Sequence, residues 1–230
     1  MPPATFFKRD RRGSHAFLPR HLHAAGHLAL VLSGGYEEAG DRGCFRVQAG
    51  DVVLHDTYEA HVDRFASNGA DVLDLGVPNN LLPLSSAHVT FRIANPDEIA
   101  TLAERDPTAA SARLISLLQP VERRVHDWPH QLADDMQSNP HLRLDDWASD
   151  NRLAPATISR GFQQVFGITP SAYRAHQRAR LALRLTITAT ETLSTIAFTS
   201  GFSDQAHMTR AVHHLTGRPP GSWRRSLKAS

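Results

Sequence analysis

Through roughly residue 85, hydrophobic positions come in short runs broken by turn-forming clusters. His27–Leu32, Cys44–Val47, Asp51–Leu54 and Asp71–Leu75 are the runs. Between them lie Ser33-Gly34-Gly35, Glu38–Gly43, Ala49-Gly50 and Ser67-Asn68-Gly69. Short strands at this spacing predict a compact antiparallel sandwich or barrel. The texture changes at Asn95. Pro96 opens a helical stretch reaching about Arg105, with Ile99, Leu102 and Ala103 on one face. Pro107 opens a second, carrying Leu114, Ile115, Leu117 and Leu118, and Pro120 stops it. Val121–Asp127 reads as a connector, and from Trp128 the pattern is helical with short turns. The expected fold is α+β in two domains. A strand-rich domain spans 1–90, helices over 91–126 link it onward, and an all-α domain spans 127–230.

The helical half repeats itself. At an offset of fifty, Arg160 matches Arg210, Gly167 matches Gly217 and Pro170 matches Pro220. Ser171-Ala172-Tyr173-Arg174 likewise matches Gly221-Ser222-Trp223-Arg224. Upstream of each copy is an apolar stretch ending in alanine, Leu144–Ala148 in the first and Leu193–Ala197 in the second. Each alanine is followed by a short turn and another helix, with Gly201 supplying the second turn, where a left-handed backbone favours glycine. Two helices joined this way, with a small residue at their closest approach, form a helix-turn-helix. The second helix of such a pair presents its N-terminal residues to a DNA major groove.

Charge sharpens this picture. Residues 1–126 hold thirteen Lys or Arg against fifteen Asp or Glu, whereas residues 152–230 hold eleven basic residues opposed only by Glu191 and Asp204. A surplus of nine positive charges in 79 residues is the footprint of a polyanion binder. No apolar run is long enough to span a membrane, and the N-terminus lacks the order of a secretory signal. A lone cysteine, Cys44, excludes an internal disulfide framework. These features predict a soluble cytoplasmic protein.

Two helix-turn-helix units joined by a long helix, each closed by Gly-x-x-Pro-x-x-aromatic-Arg, closely resemble the DNA-binding domain of the AraC/XylS regulator family. The resemblance covers about Trp128 to Leu227, and Glu191–Arg210 is its most specific segment. Arg152 departs from the family, which usually carries glycine there, and would be strained in a left-handed turn. Gly161 stands inside the first recognition helix, at a cost of about 1 kcal/mol relative to alanine. Val212 and Thr216 replace the phenylalanines of the first copy, Phe162 and Phe166, which predicts a leaner second core. The resemblance implies base or phosphate contacts from Ala156, Thr157, Ser159 and Arg160 on the first recognition helix. On the second it implies them from Gln205, Ala206, His207, Thr209 and Arg210. The chemistry agrees, since Arg pairs with guanine, Gln with adenine, and Ala or Thr methyls pack on thymine. Arg178 and Arg224 fall outside these helices and are assigned to phosphates.

Histidines mark the strand-rich domain. His21 and His23 share one face of an extended strand, His27 follows, and Gly34 lies six residues beyond His27's neighbour. Gly50 and His61 recur at a matching distance further on. These spacings resemble the two motifs of the cupin barrel, with His27 where that family usually has glutamate. The resemblance implies an N-terminal cupin-like antiparallel barrel, a common partner of the AraC-type domain. It also implies that His21, His23, His27 and His61 occupy metal-ligand positions. Imidazoles suit zinc, nickel, iron or copper, whereas regulatory cupins also bind organic effectors, and both readings stay open.

The expected function is that of a non-enzymatic transcription regulator that binds double-stranded promoter DNA and responds to a small molecule or metal. RNA polymerase is a partner if it activates, and the Pro96–Gln119 helices carry apolar surface for a homodimer seam. The alternative is a cupin-type metalloenzyme fused to a DNA-binding domain. DNA-repair methyl transfer, which would need a nucleophilic cysteine in a specific motif, is excluded by the Gly-Cys-Phe setting of Cys44.

Overall fold

A computed structural model describes residues 6–77 and 89–228. Contacts divide the chain into two units, Met1–His126 and Asp127–Ser230. The first unit contains β1 (Phe7–Arg12), β2 (Phe17–His23), β3 (His27–Gly40), β4 (Gly43–Gln48), β5 (Asp51–His55), β6 (Glu59–Gly76) and β7 (Thr90–Arg92). Helices α1 (Pro96–Ala103) and α2 (Pro107–Leu117) follow, then the two-residue strand β8 (Gln119–Pro120).

The long strands β3 and β6 organise this unit. They pair antiparallel from His27 opposite Gly76 to Gly40 opposite His61, with register shifts next to Ser33 and Gly34. Gly34 (φ +71°) faces Gly69 (φ +65°) at that level, and a Cβ on Gly34 would sit 2.0 Å from the Gly69 carbonyl oxygen. Only glycine fits there, and the bulge re-aims both strands. Each long strand therefore serves two sheet halves. One holds β1, β5, β7 and β8, and the other holds β2 and β4. Between the halves pack Ala29, Val31, Val53 and Val72 from the first and Tyr36, Phe45, Val47 and Phe65 from the second. Alternation along β3 turns Leu28 and Leu30 to the opposite face, against Ile99, Ala103, Ala110 and Leu114 of the two helices. Each such aliphatic side chain contributes about 1.5–3 kcal/mol on burial. The apolar face of the Pro96–Gln119 segment, expected to offer a seam for a second copy, is thus packed against the chain's own sheet.

The strand path is β1-β6-β3-β5-β7-β8, with β2 on β6 and β4 on β3. Beyond β8 the chain runs on to the edge of β4, where Arg46 N–H donates to Arg123 O at 3.0 Å and Val125 N–H to Cys44 O at 2.9 Å, with Phe45 bridging Arg124. The named strands form an antiparallel sandwich and do not close into a ring among the described residues, so the pairing does not show the expected cupin barrel.

The second unit comprises α3 (Trp128–Ser138), α4 (Leu144–Asp150), α5 (Pro155–Phe166), α6 (Pro170–Thr188), α7 (Leu193–Thr199), α8 (Gln205–Thr216) and α9 (Pro220–Lys228). None of the described helices is long and apolar enough to cross a membrane. In the first helix pair, α4 and α5, Phe162 stacks on Phe166 at 4.4 Å and meets Tyr173 edge-on at 5.2 Å. The second pair, α7 and α8, is leaner as expected. Val212 is fully buried, and Thr216 Oγ1 accepts from the Trp223 indole at 3.1 Å where its counterpart Phe166 packs a ring.

Gly161 receives a reason that local propensity does not supply. A Cβ there would lie 2.4 Å from Trp128 Cζ2, so the glycine lets the α3 indole rest on α5. Gly161→Ala should therefore destabilise the protein by about 1–3 kcal/mol despite alanine's helix preference. In a Trp128→Ala background the same change should become neutral or stabilising. Urea unfolding of the four proteins measures the coupling, and additive effects would contradict the contact.

Candidate functional site

The two helix pairs turn in the same way. In the first, Arg152 N–H donates to Ser149 O (3.1 Å) and Leu153 N–H to Ala148 O (3.0 Å). In the second, Gly201 N–H donates to Phe198 O (2.9 Å) and Phe202 N–H to Ala197 O (2.9 Å). Both turn residues are left-handed, Arg152 at φ +54° and Gly201 at φ +81°. Arg152 thus carries the strain its departure implied, about 1–2 kcal/mol. The second turn is one residue longer, because α7 follows α4 at an offset of 49 whereas α8 follows α5 at 50. The extra length makes Asp204 the N-cap of α8, its Oδ1 accepting from His207 N–H at 2.7 Å. That bond and the Ser203 hydroxyl hold the Asp204 carboxyl below its usual pKa. Helix α5 begins instead at Ala154-Pro155 with no side-chain cap. Both recognition helices end on a left-handed glycine, Gly167 (φ 68°) and Gly217 (φ 71°).

Ala156, Thr157, Ser159 and Arg160 lie exposed on α5, while Ile158 and Phe162 are buried. On α8, Gln205, Ala206, His207 and Arg210 are exposed, Thr209 is half-buried and Met208 faces the core. The His207 ring stands edge-on to Phe202 at 5.1 Å. No hydrogen bond or ion pair among the described residues engages Arg160 or Arg210, so their guanidinium groups face solvent. Arg178 and Arg224 differ. Arg178 Nε donates to Pro140 O at 2.7 Å. Arg224 donates to Glu191 O at 2.7 Å, with longer contacts to Thr186 O and Ala189 O at the end of α6. Sequence reasoning saw two positive charges; the fold uses these donors on carbonyl groups within the unit.

Histidines gather inside the sandwich. A register shift in β2 between Leu18 and His21 lets both face inward, and His23 follows by alternation. His61 Nε2 lies 2.9 Å from His21 Nε2 and 3.0 Å from His23 Nε2. His27, the fourth expected ligand, stands beside this trio: its ring is 4.4 Å from His23 and stacks on His55 at 4.4 Å. A cavity of about 240 Å³ opens here, lined also by Ala29, Tyr36, Phe65 and Val72. Glu38 lies behind His61, with Oε2 3.1 Å from Nδ1 and 3.6 Å from His55 Nε2. Glu38 was not an expected site residue, and for His55 the sequence left open a fifth pocket group or a solvent-facing strand position. Alternation after Val53 could have turned His55 inward. Glu38 reads as part of a turn cluster, but β3 continues through it to Gly40.

Burial governs the ionisation of this group. Burial, followed by the neighbouring imidazoles His27 and His61, lowers His23 to about 2. Burial and His61 lower His27 to about 3. Burial opposes charge on His61 too, but Glu38 and Asp63 outweigh it and raise His61 to about 10. Burial raises Asp63 to about 7 and Asp74 to about 6.

Comparison with known proteins follows the helix pairs. A family described as a helix-turn-helix domain matches residues 147–226. The arabinose operon regulatory protein of Salmonella typhimurium is 29% identical over 109 residues, 47% of this chain and 38% of that protein. Its Escherichia coli counterpart is 28% identical over 109 residues, 47% of this chain and 37% of that protein. The C-terminal half is thus similar in sequence to regulators of the AraC type. The chain spans less than two fifths of the length of these curated relatives. Among solved structures, the C-terminal domain of AraT from Geobacillus stearothermophilus is 23% identical, covering 45% of this chain and 88% of that one at a TM-score of 0.42. ToxT from Vibrio cholerae is 11% identical, covering 97% and 98% at a TM-score of 0.42. Arg152, where the sequence resemblance implied glycine, forms its turn nonetheless.

The histidine pocket makes stability depend on pH. His27 is neutral when folded and protonates on unfolding below about 6.5, so its contribution falls with pH by about 1.4 kcal/mol per unit down to about 3. His55, lowered by burial, acts in the same direction, and the raised Asp63 and Asp74 offset part of the loss. His61 works oppositely, its contribution declining as pH rises from about 6.5 to about 10. Chelator-treated protein should therefore unfold at the highest urea concentration near pH 6.5, and His27→Gln should flatten the acid limb. An acid limb unchanged by that substitution would show that His27 titrates normally.

Proposed function

We propose that this chain is a sequence-specific DNA-binding transcription regulator whose C-terminal unit reads promoter DNA and whose N-terminal sandwich senses a small molecule or a transition metal. The observation that carries the reading is the pair of matched helix-turn-helix units. Each exposes a second helix with an arginine, Arg160 or Arg210, that makes no hydrogen bond or ion pair among the described residues. Two recognition helices on one long connecting helix suit two successive major-groove segments of duplex DNA. Ala156, Thr157 and Ser159 on α5, and Gln205, Ala206, His207 and Thr209 on α8, supply the remaining base-edge chemistry. RNA polymerase is the further partner if binding activates transcription.

Arg160→Ala and Arg210→Ala should each cost about 1–3 kcal/mol of operator affinity and relax preference at particular bases. Competition against single-base operator variants measures both effects. Unchanged affinity and preference in both variants would mean that α5 and α8 do not read the DNA.

For the sensor, a transition metal at His21, His23 and His61 is the reading the pocket supports best. Three Nε2 atoms meet around His61, whose single Nε2 proton can satisfy only one of the other two. A cation would accept all three lone pairs, and nitrogen ligands of a tetrahedral zinc stand about 3.3 Å apart, near the spacing here. Glu38 beside His61 Nδ1 fits the carboxylate that orients a metal-bound imidazole. When bound, the metal would supply a Lewis-acidic centre, and zinc, nickel, iron or copper all suit imidazole. His27 would pack beside the site. Wild-type protein purified without an affinity tag should contain near-stoichiometric metal, and His23→Ala and His61→Ala should lose it. Metal-poor wild type, even after reconstitution, would favour an organic effector. Turnover with bound iron would instead favour a metalloenzyme fused to a DNA-binding domain.

A further inference from the structure

The two helix-turn-helix units share α6, but α6 is not their only connection. Arg178, near the middle of α6, donates from Nε to the carbonyl of Pro140 at 2.7 Å. One turn earlier, Arg174 Nη1 donates to Leu142 O at 2.9 Å. Both carbonyls belong to the segment entering α4, so these arginines tie α6 to the first unit. The second unit meets the same spot through its turn. A Cβ on Gly201 would stand 2.6 Å from Pro140 O and 2.7 Å from Arg178 Nε. Phe198, on the helix before that turn, places its ring 5.5 Å from that of His141.

The Gly201 turn, the Arg178 side chain and the Pro140 carbonyl are thus in mutual contact, with no room for another carbon. Arg178 is half-buried, and no carboxylate among the described residues pairs with it or with Arg174. Burial, followed by Arg174, lowers its pKa. A guanidinium placed there without an acidic partner needs the carbonyl it bonds, and a buried donor left without an acceptor is costly. The bond is therefore an anchored feature, and it lies where the two units touch.

We propose that Arg178 is a positioning residue: it clasps the Gly201 turn of the second unit to the Pro140–Leu142 segment of the first, and so fixes the separation and phase of the two recognition helices. The proposal rests on the DNA-reading function above. Inserting one base pair between two sub-sites displaces the second by about 3.4 Å and rotates it by about 35°. A clasped protein cannot follow that change, whereas one joined by α6 alone can.

The test has two arms, the first independent of DNA. In the full chain with buried Cys44 replaced by alanine, spin labels are placed on Gln163→Cys in α5 and His213→Cys in α8, both exposed positions. Their distance distribution should be narrow in the parent and distinctly broader in Arg178→Met, which keeps the aliphatic stem but no donor. Arg178→Lys retains a donor and should restore the narrow distribution. If Arg178→Met does not fold, Phe198→Ala gives the second reading, because Phe198 is 72% exposed and its removal should broaden the distribution without emptying the core. Distributions as narrow in Arg178→Met as in the parent, or equally broad in Met and Lys variants, would overturn the clasp. For the second arm, a one-base-pair insertion in a selected operator should weaken the parent at least about tenfold, and Arg178→Met less than about threefold. Each recognition helix should keep its base preferences. An equal spacing penalty in parent and variant would overturn the proposal. Failure of the DNA-reading function would appear separately, as absence of any selected operator while the label distances still respond to Arg178.

Discussion

Each helix pair in the C-terminal unit depends on one residue held at positive φ, because that residue reverses the chain tightly enough to bring the second helix back against the first. Gly201 accepts this conformation without a side chain to place, and a Cβ there would also meet a carbonyl oxygen at 2.6 Å. Arg152 accepts it at a cost, and its helix pair has the larger aromatic core. Phe162, Phe166 and Tyr173 are all fully buried there. The second unit is built the other way round. Its core is leaner, but its turn is unstrained and its recognition helix is capped by Asp204. Strain and packing are balanced differently in the two copies, and the exposed faces come out alike.

The N-terminal unit answers a different constraint. Gly34 and Gly69 face each other where β3 and β6 change direction, so two strands can supply both layers of a sandwich. The interior this creates is apolar around Tyr36 and Phe65 and ionisable around the histidines. His55, Glu38 and Glu59 are each about 1% exposed, a burial that charged groups tolerate only with counter-charges or a cation nearby. Opposed shifts on His61 and its imidazole neighbours follow from that packing. Protonation of these buried groups is therefore coupled to the stability of the sandwich around them.

Much of this was legible in the order of residues, and the exceptions share a cause. The match of Arg160 with Arg210 and of Gly167 with Gly217 reported two copies of one motif, because each residue answers a local demand: exposure on a helix or a left-handed cap. The spacing of His21, His23 and His61 likewise reported three rings that meet. Long-range contacts were not legible. Gly161 looks like a weak point in α5 until Trp128 is seen against it, and nothing local to Arg178 shows that its Nε meets Pro140 O. Glu38 was missed because β3 runs through a cluster that reads as a turn, and the side to which β5 turns His55 was left open. The strand pattern left sandwich and barrel both open, because motif spacing reports which residues share a pocket but not whether the outer strands pair.

Selection of bound sequences from a random duplex DNA pool by the full chain tests the central claim most directly. The account predicts an enriched motif of two short sub-sites about one helical turn, 10–10.5 base pairs, apart at a single preferred spacing. Recovery of DNA with no enriched motif, or with one sub-site alone, would contradict it.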